Sequence, residues 1–343
     1  MEKQFEEKRK NDSLKKLTIV KISSIIEGGN ISNCKELILK NKDIEDCEEL
    51  YQMKNLSKVD LSQNKIKDLR MVEMNFNLQQ IILQNNLIDN INYINNLNNL
   101  VYLNLSNNKI KIIDDVCLLK NLKTLILAYN EIEKVPNLAS LKNLETLILK
   151  NNSIETFVKP TKPMINLKKI SLSFNKIRQF CFSFHFSNVQ ELRLNNNKLI
   201  NIEKDIIYLT SLRQLYVHNN FIMKEDFLNY LKELNNLKNI VISNNPFFKK
   251  MNIYQLNNFI QNTRNLTTIN SVNIPPNRIF EHFSFDFSDH VPPNLNRHGD
   301  DTKVSKEKSE IKRKKEVQVN RRKMHIHKTD KRKKKKKKEL IIA

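Results

Sequence analysis

Histidine, cysteine and glycine are the residues whose spacing most directly announces metal binding, catalysis or phosphate binding, and none is spaced for it here. The seven histidines stand at 185, 218, 282, 290, 298, 325 and 327. Only the H-x-H pair at 325–327 is close in sequence, and it lies in a strongly basic stretch. The four cysteines, at 34, 47, 117 and 181, form no C-x-x-C pair and read as small buried thiols of a reducing compartment. Three glycines, at 28, 29 and 299, exclude both G-x-x-x-x-G-K-[ST] and G-x-G-x-x-G phosphate loops. No catalytic residue, cofactor or metal site is therefore predicted, and the chain reads as a binding protein rather than an enzyme.

The chemistry left to offer is aromatic and cationic, and a repeat must position it. "LILAYNEI" (125–132) and "LILKNNSI" (147–154) share L-x-L-x-x-N-x-I, but one has Tyr129 where the other has Asn151. The full frame is L-x-x-L-x-L-x-x-N-x-I, and its asparagines are Asn64, Asn86, Asn108, Asn130, Asn152, Asn175, Asn197, Asn220 and Asn245. The first five are 22 residues apart, and later steps are 23, 22, 23 and 25. A degenerate first copy has Cys34, Leu37, Leu39 and Ile44, with Lys42 in the asparagine place. L-x-L is a short strand with leucines facing in and the variable residue facing out. The asparagine amide can donate and accept where the chain leaves the sheet, forming a ladder through stacked copies. The second half of each copy suits a short helical or 3₁₀ turn. No copy buries its own leucines, so the copies must stack.

These repeats resemble the leucine-rich repeat family over roughly residues 12–275. The resemblance implies an α/β leucine-rich repeat solenoid: a curved parallel β-sheet on the concave face, short helical or 3₁₀ segments on the convex face, and a cap at each end. Leu14, Leu17, Ile22, Ile25 and Ile26, stopped by Gly28-Gly29, predict an N-terminal cap helix within 12–33. About ten repeats occupy 34–247, with a true helix over 224–234, and a closing cap follows at 248–275. That cap is similar to the one ending the 22-residue intracellular subfamily, although Asn270 stands where it often has Asp. The subfamily includes the leucine-rich regulatory subunit of type-one protein phosphatase, a spliceosomal snRNP protein and an axonemal dynein light chain.

The outward strand positions then nominate a site. The place before the frame asparagine holds Asn or Gln in eight copies of ten, and Tyr129 and Phe174 are the exceptions. With Tyr102, Ile126, Ile148, Arg193, Tyr216 and His218 they are expected to form one concave patch for a protein partner. Its central column offers a single acid, Asp60, with Glu36, Glu145 and Glu191 beside it. A phosphatase regulator of this kind is expected to use acidic and aromatic concave residues. The type-one phosphatase catalytic subunit therefore remains an alternative partner rather than the first.

Charge is concentrated at the end of the chain. Residues 300–343 hold 19 Lys and Arg against 7 Asp and Glu, a net +12 of the chain's +22. The clusters Lys312-Arg313-Lys314-Lys315, Arg321-Arg322-Lys323 and the run opening Lys331-Arg332-Lys333 predict a disordered basic tail. Such a tail suits nuclear or nucleolar localisation, or nucleic-acid contact through 303–343, and keeps a nuclear ribonucleoprotein component as a second alternative. Residues 1–11 are expected to be disordered, and 276–299, rich in Pro and Phe, to be a linker. With no apolar run of 18 residues and a charged start, the protein is expected to be intracellular, off the membrane and monomeric when alone. Abundant Asn and Lys are also what an A+T-rich genome would produce.

Overall fold

Only the L-x-L segment of each repeat alternates in the way a strand requires, and each copy contributes one strand of three residues. The computed structural model describes residues 15–26 and 30–280 of the 343. Successive strands run from Glu36–Ile38 through Lys58–Asp60, Gln80–Ile82 and Tyr102–Asn104 to Thr124–Ile126 and Thr146–Ile148. Lys169–Ser171, Glu191–Arg193, Gln214–Tyr216 and Asn239–Val241 continue the series. All pair in parallel with their neighbours and in one register, so that Leu103, Leu125, Leu147, Ile170 and Leu192 line up across the sheet. These central residues are buried in the core, while the residues on either side face outward. Thr268–Ile269 adds a further parallel strand, and Val272–Asn273 turns back on it, completing a twelve-stranded sheet. The reversal runs through Asn270 and Ser271, both with positive φ (49° and 68°), as a two-residue hairpin turn demands.

On the other side, five copies return through 3₁₀ turns, such as Glu48–Gln52, Asp114–Leu118 and Lys204–Tyr208. Two copies depart from the predicted helical return by forming strands, and the copy of Gln80–Ile82 returns through turns alone. Lys134–Val135 and Thr156–Phe157 pair in parallel as a small second sheet. Pro136 and Pro160 follow these segments closely; Pro136 also biases Val135 away from helical backbone. Phe157 then packs among Phe180, Phe182 and Phe186, with ring centroids 5.1–6.0 Å apart along the cluster.

The ends differ in detail from the sequence reading. The N-terminal helix is Ile19–Ile25, shorter than 12–33, because Leu17 is held extended by a bond from its N–H to the Asp46 carbonyl (2.7 Å). The Thr18 hydroxyl caps the helix and Ile22 is buried, but Ile25 is exposed. Leu14 and the Gly28-Gly29 stop lie outside the described residues. The helix predicted at 224–234 is confined to Phe227–Leu231. Helices Pro246–Lys250 and Ile253–Asn262 follow, the second with a reciprocal Asn252/Gln255 capping box. Residues 276–280 are folded rather than linker. The Arg278 guanidinium donates to the carbonyls of Ile260 and Thr263 (both 2.6 Å), and Asn257 brackets Phe280 with bonds of 3.0 and 3.1 Å. The rest of that segment and the basic tail lie outside the described residues.

The four cysteines are free, but only Cys47 is buried, and burial pushes its thiol well above the usual range. Cys34, expected in the core, is half-exposed and bonds the Glu36 carbonyl (3.2 Å). No helix among the described residues is long and apolar enough to cross a membrane.

Candidate protein-binding face

Two asparagine ladders hold the outward strand positions in place. In the inner one, Asn130 Oδ1 accepts the Ile110 N–H (3.0 Å), while its Nδ2 donates to the carbonyls of Leu105 (3.0 Å) and Leu127 (3.1 Å). The same pattern recurs at Asn64, Asn86, Asn108, Asn152, Asn175, Asn197, Asn220 and Asn245, all buried except the half-buried Asn152. Each amide satisfies backbone groups of its own copy and the one before, groups that would otherwise be left unpaired in the core.

The outer ladder was not anticipated from the sequence. Asn77, Asn99, Asn121 and Asn166 each donate from Nδ2 to a backbone carbonyl of the preceding copy, at 2.8–3.0 Å. They occupy the place just before the frame leucine. The signal was the recurring dipeptide Asn-Leu, visible once Asn is counted by position rather than by abundance.

A conformational rule governs the place before each inner-ladder asparagine. All ten residues there have φ between 52° and 59°. The left-handed region is one that Asn tolerates and that most side chains reach only at roughly 1–2 kcal/mol. The Asn and Gln preference is therefore a backbone requirement. Tyr129 (φ 57°) and Phe174 (φ 58°) occupy the same strained place and are 42% and 44% exposed, so neither core packing nor the turn explains them.

The structure sorts the nominated residues into two clusters. In the first, the Lys150 ammonium lies over both exposed rings, 5.5 Å from the Tyr129 centroid and 5.4 Å from that of Phe174. Lys150 was missed because it comes from the copy between them, and its sequence neighbours give no hint of the two rings. In the second cluster, the Arg193 guanidinium stacks on Tyr216 at 4.4 Å. The Tyr216 hydroxyl donates to Gln214 (3.1 Å) and accepts from Asn239 (3.2 Å). Arg193 is also bonded to the Glu191 carboxylate, which Lys169 meets at 3.0 Å. Burial opposes ionisation of Glu191, but these two cations outweigh it and hold its carboxyl below the usual range. The expected acid-poor patch thus contains a neutralised arginine. Half-buried His218 adjoins this cluster; burial and then Arg193 push its imidazole down to about 4.

Ile126 and Ile148 face each other in register and are half-buried, next to the first cluster. Tyr102 pairs in register with Thr124 and contacts no described aromatic ring, so it sits at the margin. His185 is apart from all of these, hydrogen-bonded to the Ser183 hydroxyl at 3.0 Å. Among the described residues no group of His, Cys, Asp or Glu is arranged to hold a metal.

The arrangement is a row of outward side chains on a stacked parallel sheet, suited to holding a partner. Residues 99–119 match the Leucine Rich Repeat model, and 120–160 match the model for two copies of such repeats. This chain is a leucine-rich repeat solenoid. Among similar solved structures is the functional domain of InlJ from Listeria monocytogenes, with a TM-score of 0.59 and 22% identity. The match covers 70% of this chain but only 49% of that one, so the solenoid spans about half of the InlJ chain. The leucine-rich repeat domain of APL1B matches with a TM-score of 0.56 and 17% identity over 68% of each chain. A chain of the octameric complex of Latrophilin 3, Unc5D and FLRT2, whose leucine-rich repeats are those of FLRT2, matches at 0.56. That pair is 22% identical, covering 69% of this chain and 74% of the other. No curated protein matches the sequence. At these identities the likeness is one of fold.

Proposed function

We propose that the protein is a non-enzymatic scaffold or adaptor of the 22-residue repeat type, gripping a protein partner on its concave face. One observation carries this reading: Tyr129 and Phe174 stand exposed in left-handed backbone that eight of the ten copies give to Asn or Gln. Exposed aromatics beside cations are what interface centres favour. The fold supports it, since the similar structures include the leucine-rich repeats of FLRT2 in the complex with Latrophilin 3 and Unc5D, and the plant peptide hormone receptor RGFR1 in complex with RGF2. Nothing in the site favours the type-one phosphatase catalytic subunit over another protein.

The test is affinity recovery of partners by the full chain and by Tyr129→Ala/Phe174→Ala/Tyr216→Ala. Loss of a partner from the triple variant, at unchanged folding, is expected. Unchanged recovery would sink the reading.

The basic segment 303–343 supports a second role, in a nuclear ribonucleoprotein, through its 19 cations. Fused to a fluorescent protein, it is expected to carry the fusion into the nucleus; a purely cytoplasmic signal would refute autonomous import. Partner recovery that collapses with nuclease or high salt would put this reading first.

A further inference from the structure

The concave face has a charge that narrows its partner, and the inference rests on the reading above. In the copies whose strands run from Thr124–Ile126 to Asn239–Val241, the two acids in or just before the strands, Glu145 and Glu191, are already taken. Lys168 meets Glu145 at 3.2 Å, and Lys169 and Arg193 share Glu191. The surplus is positive. Lys123, Arg213 and Lys238 are exposed, occupy the same place just before their strands, and form no ion pair with a described acid. Across the face from this row, Lys150 is held over Tyr129 and Phe174, both in strained backbone.

We propose that this half of the concave face docks an acidic protein segment. A partner carboxylate meets the Lys150 ammonium beside the two rings, and further carboxylates lie along the row of Lys123, Arg213 and Lys238. Charge excludes the nearest alternatives. A second copy of this chain carries +22, of which residues 300–343 supply +12, so a second copy and that basic segment are both repelled. Nucleic acid fits less well. Lys150 already lies over the rings on which bases would stack, and the guanidinium best shaped for phosphate, Arg193, is committed to Glu191.

The probe is a short polyglutamate, used with the full-length protein. A zero-length carbodiimide joins lysine amines to its carboxylates, and mass spectrometry maps the coupled lysines. Coupling at Lys123, Lys150 and Lys238 is expected, in addition to any in 303–338. Lys150→Gln/Lys238→Gln is expected to bind about tenfold more weakly at physiological salt with an unchanged Tm. Coupling confined to 303–338 with the same affinity for both proteins overturns the proposal. So does an oligothymidylate that displaces polyglutamate from Lys150 and binds there more tightly, which would give the face to nucleic acid. These results are separable from the alanine pull-down. A partner lost with the triple alanine variant, while polyglutamate ignores these lysines, keeps the concave face as the site and removes only its acidic specificity.

Discussion

The first four copies and the next six share a backbone and an inner ladder but differ on their outward face. From Glu36–Ile38 to Tyr102–Asn104, the left-handed place holds Asn41, Gln63, Asn85 and Asn107. Charges there are matched, with Lys40 on Asp60 and Lys58 on Glu36, each at 2.9 Å. From Thr124–Ile126 onward, Tyr129 and Phe174 take two of the six such places and Asn the other four, and cations outnumber acids. The early copies use residues that satisfy the backbone first. Two of the later ones carry side chains that the backbone tolerates at a cost, which is where a function outside the fold shows itself.

The largest expected effect tests the shared part. Asn130→Ala leaves the Ile110 N–H and the Leu105 and Leu127 carbonyls without their amide, and should destabilise by about 3 kcal/mol. Asn86→Ala removes the equivalent bonds in the early half and should lose a similar amount. Urea unfolding of the two variants checks this. A loss confined to one half would show that the halves are not one scaffold.

A smaller effect belongs to the later half alone. His218 is pushed from 6.5 down to about 4 by burial and Arg193. The unfolded chain therefore binds a proton between these values while the folded chain does not. Its contribution is fully present above pH 6.5 and fades as pH falls toward 4, with about 2 kcal/mol lost by pH 5. His218→Asn, borrowing the residue type of Asn195 one copy earlier, should flatten the unfolding-pH profile across that window. An unchanged slope would place the sensitivity elsewhere.

How much of this was legible in the sequence depended on what each position encodes. The strand register was legible because Leu, Val and Ile recur at one spacing and nothing else satisfies it. The left-handed place was half legible. Asn and Gln in eight copies marked it as special, yet residue type alone did not separate a turn requirement from a polar surface. The outer ladder was hidden by composition, since Asn77 or Asn121 looks like any other asparagine in an Asn-rich chain. Lys150 was illegible, because its position over Tyr129 and Phe174 depends on three copies stacking. The short N-terminal helix was misjudged because apolar spacing around Leu17 and Ile22 does not reveal the strand-like bridge of Lys16 to Asp46.

Exchanging the left-handed residues sharpens the contrast at about 1 kcal/mol. Tyr129→Asn and Phe174→Asn should each raise stability by roughly that amount, because Asn tolerates positive φ better than an aromatic side chain. The reciprocal Asn107→Tyr, in the early half, should lower it comparably. The same two later substitutions should weaken partner recovery, so that stability and binding move in opposite directions. Recovery that improves together with stability would mean the aromatics are incidental.

The smallest effect lies in the outer ladder, which crosses both halves. Asn121 donates to the Asn98 carbonyl at 2.8 Å and Asn77 to that of Lys54 at 2.9 Å, both at exposed positions. Water can replace either donor, so Asn121→Ala and Asn77→Ala should each cost only about 0.5 kcal/mol. Ser211 already occupies the equivalent place in one copy, where its backbone N–H reaches the Ser187 carbonyl at 3.1 Å. The ladder therefore survives a missing rung. In a chain where each copy touches only its neighbours, small losses of this kind should nearly add across distant copies and depart from additivity in adjacent ones. Asn121→Ala/Asn143→Ala is the adjacent pair to measure, because Asn143 Nδ2 also reaches Asn121 Oδ1 at 3.4 Å. A loss equal to the sum of the single variants would show that the outer rungs act independently, unlike the buried ladder beneath them.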